Sequence, residues 1–113
     1  MAQLNDILYK ENDAAGQDVN LAIAANVDAA VAASPNLRLM GFSCRESAAV
    51  AAVATFNVVR GATAAGGTVM SPVELAANAS TSVWFGEGGL SCPEGISIGV
   101  VAGTVDVILF YKV

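Results

Sequence analysis

Ile96-Ser97-Ile98-Gly99-Val100-Val101, then Ala102-Gly103-Thr104, then Val105-Asp106-Val107-Ile108-Leu109-Phe110-Tyr111 stand in direct succession in this chain. β-Branched and aromatic residues flank a short turn that contains glycine, which reads as a β-hairpin. An isolated hairpin buries too little to be stable, so this one needs further strands, and the rest of the sequence supplies them.

Working back from the hairpin, Cys92-Pro93-Glu94-Gly95 leads into it, and Ser82-Val83-Trp84-Phe85 forms a short strand closed by the loop Gly86-Glu87-Gly88-Gly89. Thr68 to Leu75 is another strand, and Pro72 within it lacks a ladder donor, which predicts a sheet edge or a bulge. Ala76 to Ser80 is a turn, and Gly61 to Gly67 a flexible one. Before that, the Ala-rich stretch 48–54 reads as a loop that runs into a strand ending at Arg60. Leu37 to Cys44 is apolar on both faces, with Leu37 and Leu39 on one and Met40, Phe42 and Cys44 on the other, and a strand of that kind is expected to be covered on both sides. Ser34-Pro35-Asn36 is a turn. In 19–33, Val19, Leu21 and Ile23 alternate at strand period, while Asn26 and Asp28 interrupt any helical stripe. Strands recurring about every ten residues, with turns between them, predict an all-β, jelly-roll-like antiparallel β-sandwich over residues 19–113. Residues 1–18 read as an extended N-terminal arm in which Leu4, Ile7, Leu8 and Tyr9 stand among Asp6, Glu11, Asp13 and Asp18. Those four apolar side chains could clip onto a neighbouring subunit.

The chain has 113 residues, room for one domain, and it is 55% hydrophobic but only 13% charged. An average soluble domain carries about 25% charged residues, so much of this surface is apolar or small and a partner is expected to cover part of it. The formal net charge is -5, and Lys10, Arg38, Arg45, Arg60 and Lys112 are scattered along the sequence, which argues against nucleic-acid binding. No leader of the secretory type opens the sequence and no run is long and apolar enough for a membrane span, so synthesis in a cytoplasm and no membrane contact are expected. Cys44 and Cys92 have no histidine to complete a zinc site. They are expected to be reduced, buried thiols, with a disulfide left open for neighbouring strands in an oxidising compartment.

Catalysis is not expected, since nucleophile–base chemistry near neutral pH usually needs a histidine and the chain has none. Glu87 and Glu94 sit in loops as solvated charges, Gly86 to Gly89 precedes no helix that would make it a phosphate cradle, and no calcium-loop spacing occurs. No catalytic, cofactor or metal residue is assigned. Two features point instead to an interface. Arg45-Glu46 ends an apolar strand, either as a solvated pair or as an intersubunit contact. Trp84 and Phe85, being adjacent in a strand, must point to opposite faces, so one can enter the core and the other can anchor a partner. The candidate interface set is therefore Leu4, Ile7, Leu8, Tyr9, Arg45, Glu46, Trp84 and Phe85.

The series Gly41-Phe42-Ser43-Cys44-Arg45-Glu46-Ser47-Ala48, Val59-Arg60-Gly61, the stretch from Leu75 through Asn78 to Trp84-Phe85-Gly86, Pro93-Glu94-Gly95-Ile96 and Gly103-Thr104-Val105-Asp106 resembles small β-sandwich virion proteins of tailed bacteriophages, of the capsid decoration (cement) and head-fibre kind. The resemblance covers residues 37–113. It implies a non-enzymatic virion component, often a homotrimer, that binds the major capsid protein on the outer surface of the head and reinforces the lattice. A tail or baseplate adaptor is the first alternative. A host-glycan module, with Trp84 stacked on a sugar beside Asn78, Ser80 and Glu87, is the second.

Overall fold

The computed structural model describes residues 15–113, which form nine strands and no helix: β1 (Ala15–Ile23), β2 (Val27–Val31), β3 (Arg38–Glu46), β4 (Ala54–Arg60), β5 (Thr68–Leu75), β6 (Ser80–Trp84), β7 (Leu90–Ser91), β8 (Ile96–Ala102) and β9 (Val105–Lys112). Sheet A runs β1-β9-β3-β6, with the two-residue β7 continuing the β6 edge against β3, and sheet B runs β2-β8-β4-β5. Every pairing is antiparallel.

That order is one long antiparallel hairpin rolled on itself. β1 pairs β9, β2 pairs β8, β3 pairs β6, β4 pairs β5, and successive pairs fall alternately in sheets A and B. The protein is a jelly-roll β-sandwich. The hairpin expected over 96–111 does not form: β8 pairs with β2 and β4 in sheet B, β9 pairs with β1 and β3 in sheet A, and the turn between them carries the chain across the sandwich. Leu37, Leu39, Phe42, Phe56, Val58, Ile96, Ile98, Val105, Val107 and Leu109 fill the space between the sheets. β5 lies at the edge of sheet B, where Pro72 needs no ladder donor, as the sequence predicts.

Three further expectations change. The stretch 19–33 is two strands in different sheets, because the chain crosses the sandwich between Ile23 and Val27. β1 begins at Ala15, so residues 15–18, expected in the arm, are strand. The third change concerns β3, which is not covered on both sides. Its register against β9 shifts between Leu39 and Gly41, so Met40 is an extra residue in the ladder. A bulge of one residue reverses the alternation. Leu39 on one side of it and Phe42 and Cys44 on the other therefore all turn into the core, while Arg38, Gly41, Ser43 and Arg45 share the outer face.

The loop 61–67 covers the outer face of sheet B around Val59, while Val69 beside it stays exposed. The Ala64 N–H donates to Asp28 Oδ1 (2.9 Å) on β2, Gly67 leaves no room for a side chain above Val59, and Val59 is 1% exposed although it points away from the core. The glycines expected to make a flexible turn instead let this segment lie close against the sheet.

Candidate functional site

The buried polar side chains of the described residues are Glu46, Ser97 and Asp106. The described non-glycine residues with positive φ are Ala22 (51°), Ala29 (49°) and Asn78 (60°). They match one to one. Ala22 N–H donates to Asp106 Oδ1 (2.7 Å), Ala29 N–H to Ser97 Oγ (2.9 Å) and Asn78 N–H to Glu46 Oε1 (2.9 Å). At Ala22 and Ala29 the ladders of β1 and β2 slip, and an edge N–H that leaves its ladder inside the fold needs another acceptor. The central strands β9 and β8 provide it. These polar groups thus hold backbone that sequence alone would not place in the left-handed region.

The same contacts separate Arg45 from Glu46, which the sequence suggested as a pair. They point to opposite faces of β3. Glu46 takes N–H donors from Asn78 and from Ala48 (2.7 Å), and these bonds hold its carboxyl below the usual range. It is a clamp on two loops rather than a solvated charge or an intersubunit contact. Arg45 instead pairs its Nε with Asp106 Oδ2 at 2.7 Å. Burial works to raise the Asp106 pKa, but the Ala22 N–H and the Arg45 guanidinium outweigh it and keep the carboxyl below the ordinary value. Among the described residues no group of three or more His, Cys, Asp or Glu converges in a way that could hold a metal ion.

What remains open is the outer face of sheet A. Across β1, β9, β3 and then β7 or β6, the paired rows are Ala15–Lys112–Arg38–Ser91, Gln17–Phe110–Gly41–Trp84 and Val19–Ile108–Ser43–Ser82, with Leu21, Asp106, Arg45 and Ser80 beyond them. On β1 the usual pattern is inverted: Asp18 and Asn20 turn toward the sandwich and bond to each other, while Val19 and Leu21 point outward at 52% and 65% exposure. Together with Ile108, Phe110 and Trp84 they make a connected apolar stripe. Leu21, Ser43, Arg45, Ser80, Asp106 and Ile108 line a shallow depression in it of about 310 Å³.

The face is also cationic. Arg38 and Lys112 stand opposite each other at one end of it, and Arg45, about 20 Å away along β3, pairs with Asp106 at the other. Of the other two basic residues, Arg60 lies elsewhere in a two-pronged ion pair with Glu94 (2.9 and 3.0 Å) and Lys10 falls outside the described residues. The alternation of β9, with Ile108, Phe110 and Lys112 on one side, was the readable signal for this face. Its other components required the Met40 bulge and the strand order.

Trp84 and Phe85 do diverge. Phe85 packs on the core with its ring 6.2 Å from that of Phe42, and Trp84 lies on the outer face at 61% exposure. A Cβ on Gly41 would stand 2.8 Å from Trp84 Cε3, so the indole rests directly over that glycine. An aromatic covering a cross-strand glycine in this way supplies the packing the glycine lacks. The polar set considered for a sugar does not gather there: Asn78 is at the far end of β6 from Trp84, about 20 Å away in extended chain, and its N–H is engaged by Glu46. Cys44 and Cys92 are free, buried thiols, and burial pushes Cys44 up to about 11 and Cys92 upward too. Leu4, Ile7, Leu8 and Tyr9 lie outside the described residues.

No protein-family model and no curated protein matches this chain. Among solved structures, the chain is similar to the coat protein of Tobacco streak virus, with 13% identity and a TM-score of 0.49 over 89% of this chain and 84% of that one.

Proposed function

We propose that this protein is a non-enzymatic structural component of a virion: a capsid decoration protein that attaches to the outer surface of the major capsid lattice and stabilises it. The observation that supports this reading best is the outer face of sheet A, an apolar stripe with three cations around it on a domain whose buried residues Glu46, Ser97 and Asp106 each accept from a backbone N–H. Exposed connected apolar area of this kind marks a protein-binding surface. The jelly roll adds a fold-level analogy, since capsid proteins use it, but lectins and cupins use it as well.

In this reading the working form is a homotrimer assembled in the host cytoplasm. Several modest contacts per oligomer add through effective concentration, and a protein that binds only the assembled shell lowers its free energy by mass action. The interface residues are Trp84 and Arg45 with their neighbours Val19, Leu21, Ile108 and Phe110; Glu46 and Phe85 act inside the fold.

Copy number decides the matter. Quantitative mass spectrometry of purified virions should find this chain at a copy number comparable with that of the major capsid protein, and adding it to undecorated shells should raise their disruption temperature. A handful of copies per particle would instead favour the tail or baseplate adaptor, and absence from washed particles would remove the virion reading.

A further inference from the structure

We propose that β6 is a docking edge for a second copy of this chain: two β6 strands pair antiparallel about a two-fold axis at Ser82 and join two copies of sheet A into one continuous sheet. The contact is two-fold, so in the proposed homotrimer it links one trimer to the next. It forms between single chains as well, and the inference does not rest on the virion reading.

The edges of the sandwich are β1 and β6 in sheet A and β2 and β5 in sheet B. An unpaired strand edge templates another strand, and proteins blunt it with proline, bulges or charges, including charges turned inward. The other three edges are blunted in this way. β1 turns Asp18 toward the sandwich, and its ladder slips between Asn20 and Ile23. β2 carries Asp28 and slips between Val27 and Val31. β5 has Pro72, Glu74 and, at Met70, an extra residue against β4. β6 has none of these devices: Ser80-Thr81-Ser82-Val83-Trp84 is uncharged, its register against β3 is unbroken, and no charge stands between Glu74 and Glu87.

Hydrogen bonding decides which groups β6 presents. Glu46 N–H donates to Ala79 O (2.9 Å) and Phe85 N–H to Met40 O (2.7 Å), at the two ends of the β3–β6 ladder. Antiparallel strands alternate, so Thr81 and Val83 direct their N–H and C=O groups at β3, while Ser80, Ser82 and Trp84 aim theirs away from it. That row is symmetric about Ser82. A second β6 laid against it pairs Ser82 with the partner's Ser82 and Trp84 with the partner's Ser80, each pair exchanging both N–H···O bonds. A two-fold contact uses the same patch on both copies, and here the patch is complementary to itself in size, since at each end an exposed indole meets a serine. Ser80 also rims the depression lined by Leu21, Arg45 and Ile108, so the partner's Trp84 arrives beside an apolar opening. A foreign strand would satisfy the same backbone groups, but the serine–tryptophan match at both ends is met by β6 itself.

By sedimentation at high micromolar concentration, the full-length chain should show at least twice the mass of the S82K variant, whose change puts a charge on the exposed edge. The excess should fall away on dilution. S82P removes an N–H that points away from β3, so it should behave as S82K does and keep the parent's circular dichroism spectrum. Cross-linking reads the register. Paired Ser82 Cα atoms stand about 5.5 Å apart, within disulfide reach, whereas Ser80 lies about 14 Å from its own counterpart. Mild oxidation should therefore link S82C into covalent pairs and leave S80C unlinked, Cys44 and Cys92 being buried. Equal masses for the parent and S82K, or cross-linking of S80C as fast as that of S82C, would overturn the proposal.

Discussion

The two outer faces of this sandwich are built from the same kind of strand and end differently. On sheet B, Val59 points away from the core yet is sealed by the glycine loop 61–67, with Ser97 buried beneath it and bonded to Gly61 O at 2.8 Å. On sheet A, Val19 and Leu21 point away from the core and nothing among the described residues covers them. An apolar residue in a strand therefore says that something is meant to cover it, without saying whether the cover is the opposite sheet, a loop or a partner. The jelly roll supplies the first for both sheets and the loop supplies the second for the part of sheet B around Val59.

The largest expected effect breaks the comparison on the closed side. Val59→Asp would place an uncompensated charge under the loop, at a cost of about 3–5 kcal/mol, enough to unfold much of a marginal domain. Urea unfolding followed by Trp84 fluorescence measures it. A loss near zero would show that the loop lifts off easily and that the two faces are alike.

A pair of serines sharpens the contrast. Ser97 is fully buried, accepts from Ala29 N–H and donates to Gly61 O, so Ser97→Ala strands a buried carbonyl and a partly buried N–H and should cost roughly 1–3 kcal/mol. Ser43, at the middle of the sheet A face, meets only the Ser82 hydroxyl (3.2 Å) in an exposed contact, and Ser43→Ala should stay within about 0.5 kcal/mol. Thermal melts of both variants test this, and equal losses would refute the difference in burial.

Much of this fold was legible because strand periodicity and turn chemistry agree: the strands 96–102 and 105–112, the Pro72 edge and the divergence of Trp84 from Phe85 all follow from local sequence. The hairpin expected of those two strands does not form, because alternation marks a strand without saying which sheet it joins. The other failures come mostly from bulges. Met40 adds a single residue to β3 and turns a strand that reads as apolar on both faces into one with a clean core side. The slips at Ala22 and Ala29 are invisible in Ala-rich sequence, since alanine gives no sign of positive φ. Their acceptors did leave a trace, for Asp106 stands in an otherwise apolar run, Val105 to Tyr111, where an acid needs a reason. The pairing of Arg38 with Lys112 and of Arg45 with Asp106 was not legible, because each arises only through the β9–β3 register.

The acid limb of stability separates Glu46 from the exposed charges. The Asn78 and Ala48 N–H groups lower its folded pKa, so the unfolded chain takes up the proton first as pH falls. The stabilisation is present in full above the unfolded carboxylate pKa, near about 4, and is lost as pH drops through the lower folded value. Asp106 and Glu94 shift in the same direction and add to that slope. Glu46→Gln should therefore lower the melting temperature at neutral pH and flatten its fall between about pH 5 and 2, a window set by the usual carboxylate range. An unchanged acid limb in the variant would show that the clamp is not ionised in the native state.

The smallest expected effect lies on the open side. Leu21 is 65% exposed, so replacing it with serine removes little area that folding had buried, and it leaves the Asp106 contact to Ala22 N–H intact. Its cost should be within about 0.5 kcal/mol, which in a domain of this size is a shift of only a few degrees. The same change takes an apolar group from the centre of the stripe beside Arg45 and Ile108, where a partner would gain most from excluding water. Leu21→Ser should thus melt like the parent and bind assembled shells more weakly in a sedimentation assay, whereas Val59→Asp fails in folding before binding can be asked. If Leu21→Ser lowered stability as much as Ser97→Ala, the side chain would belong to a covered surface of the isolated domain. If it bound shells as tightly as the parent, attachment would lie away from sheet A, and the open face would have lost its role in the proposed function.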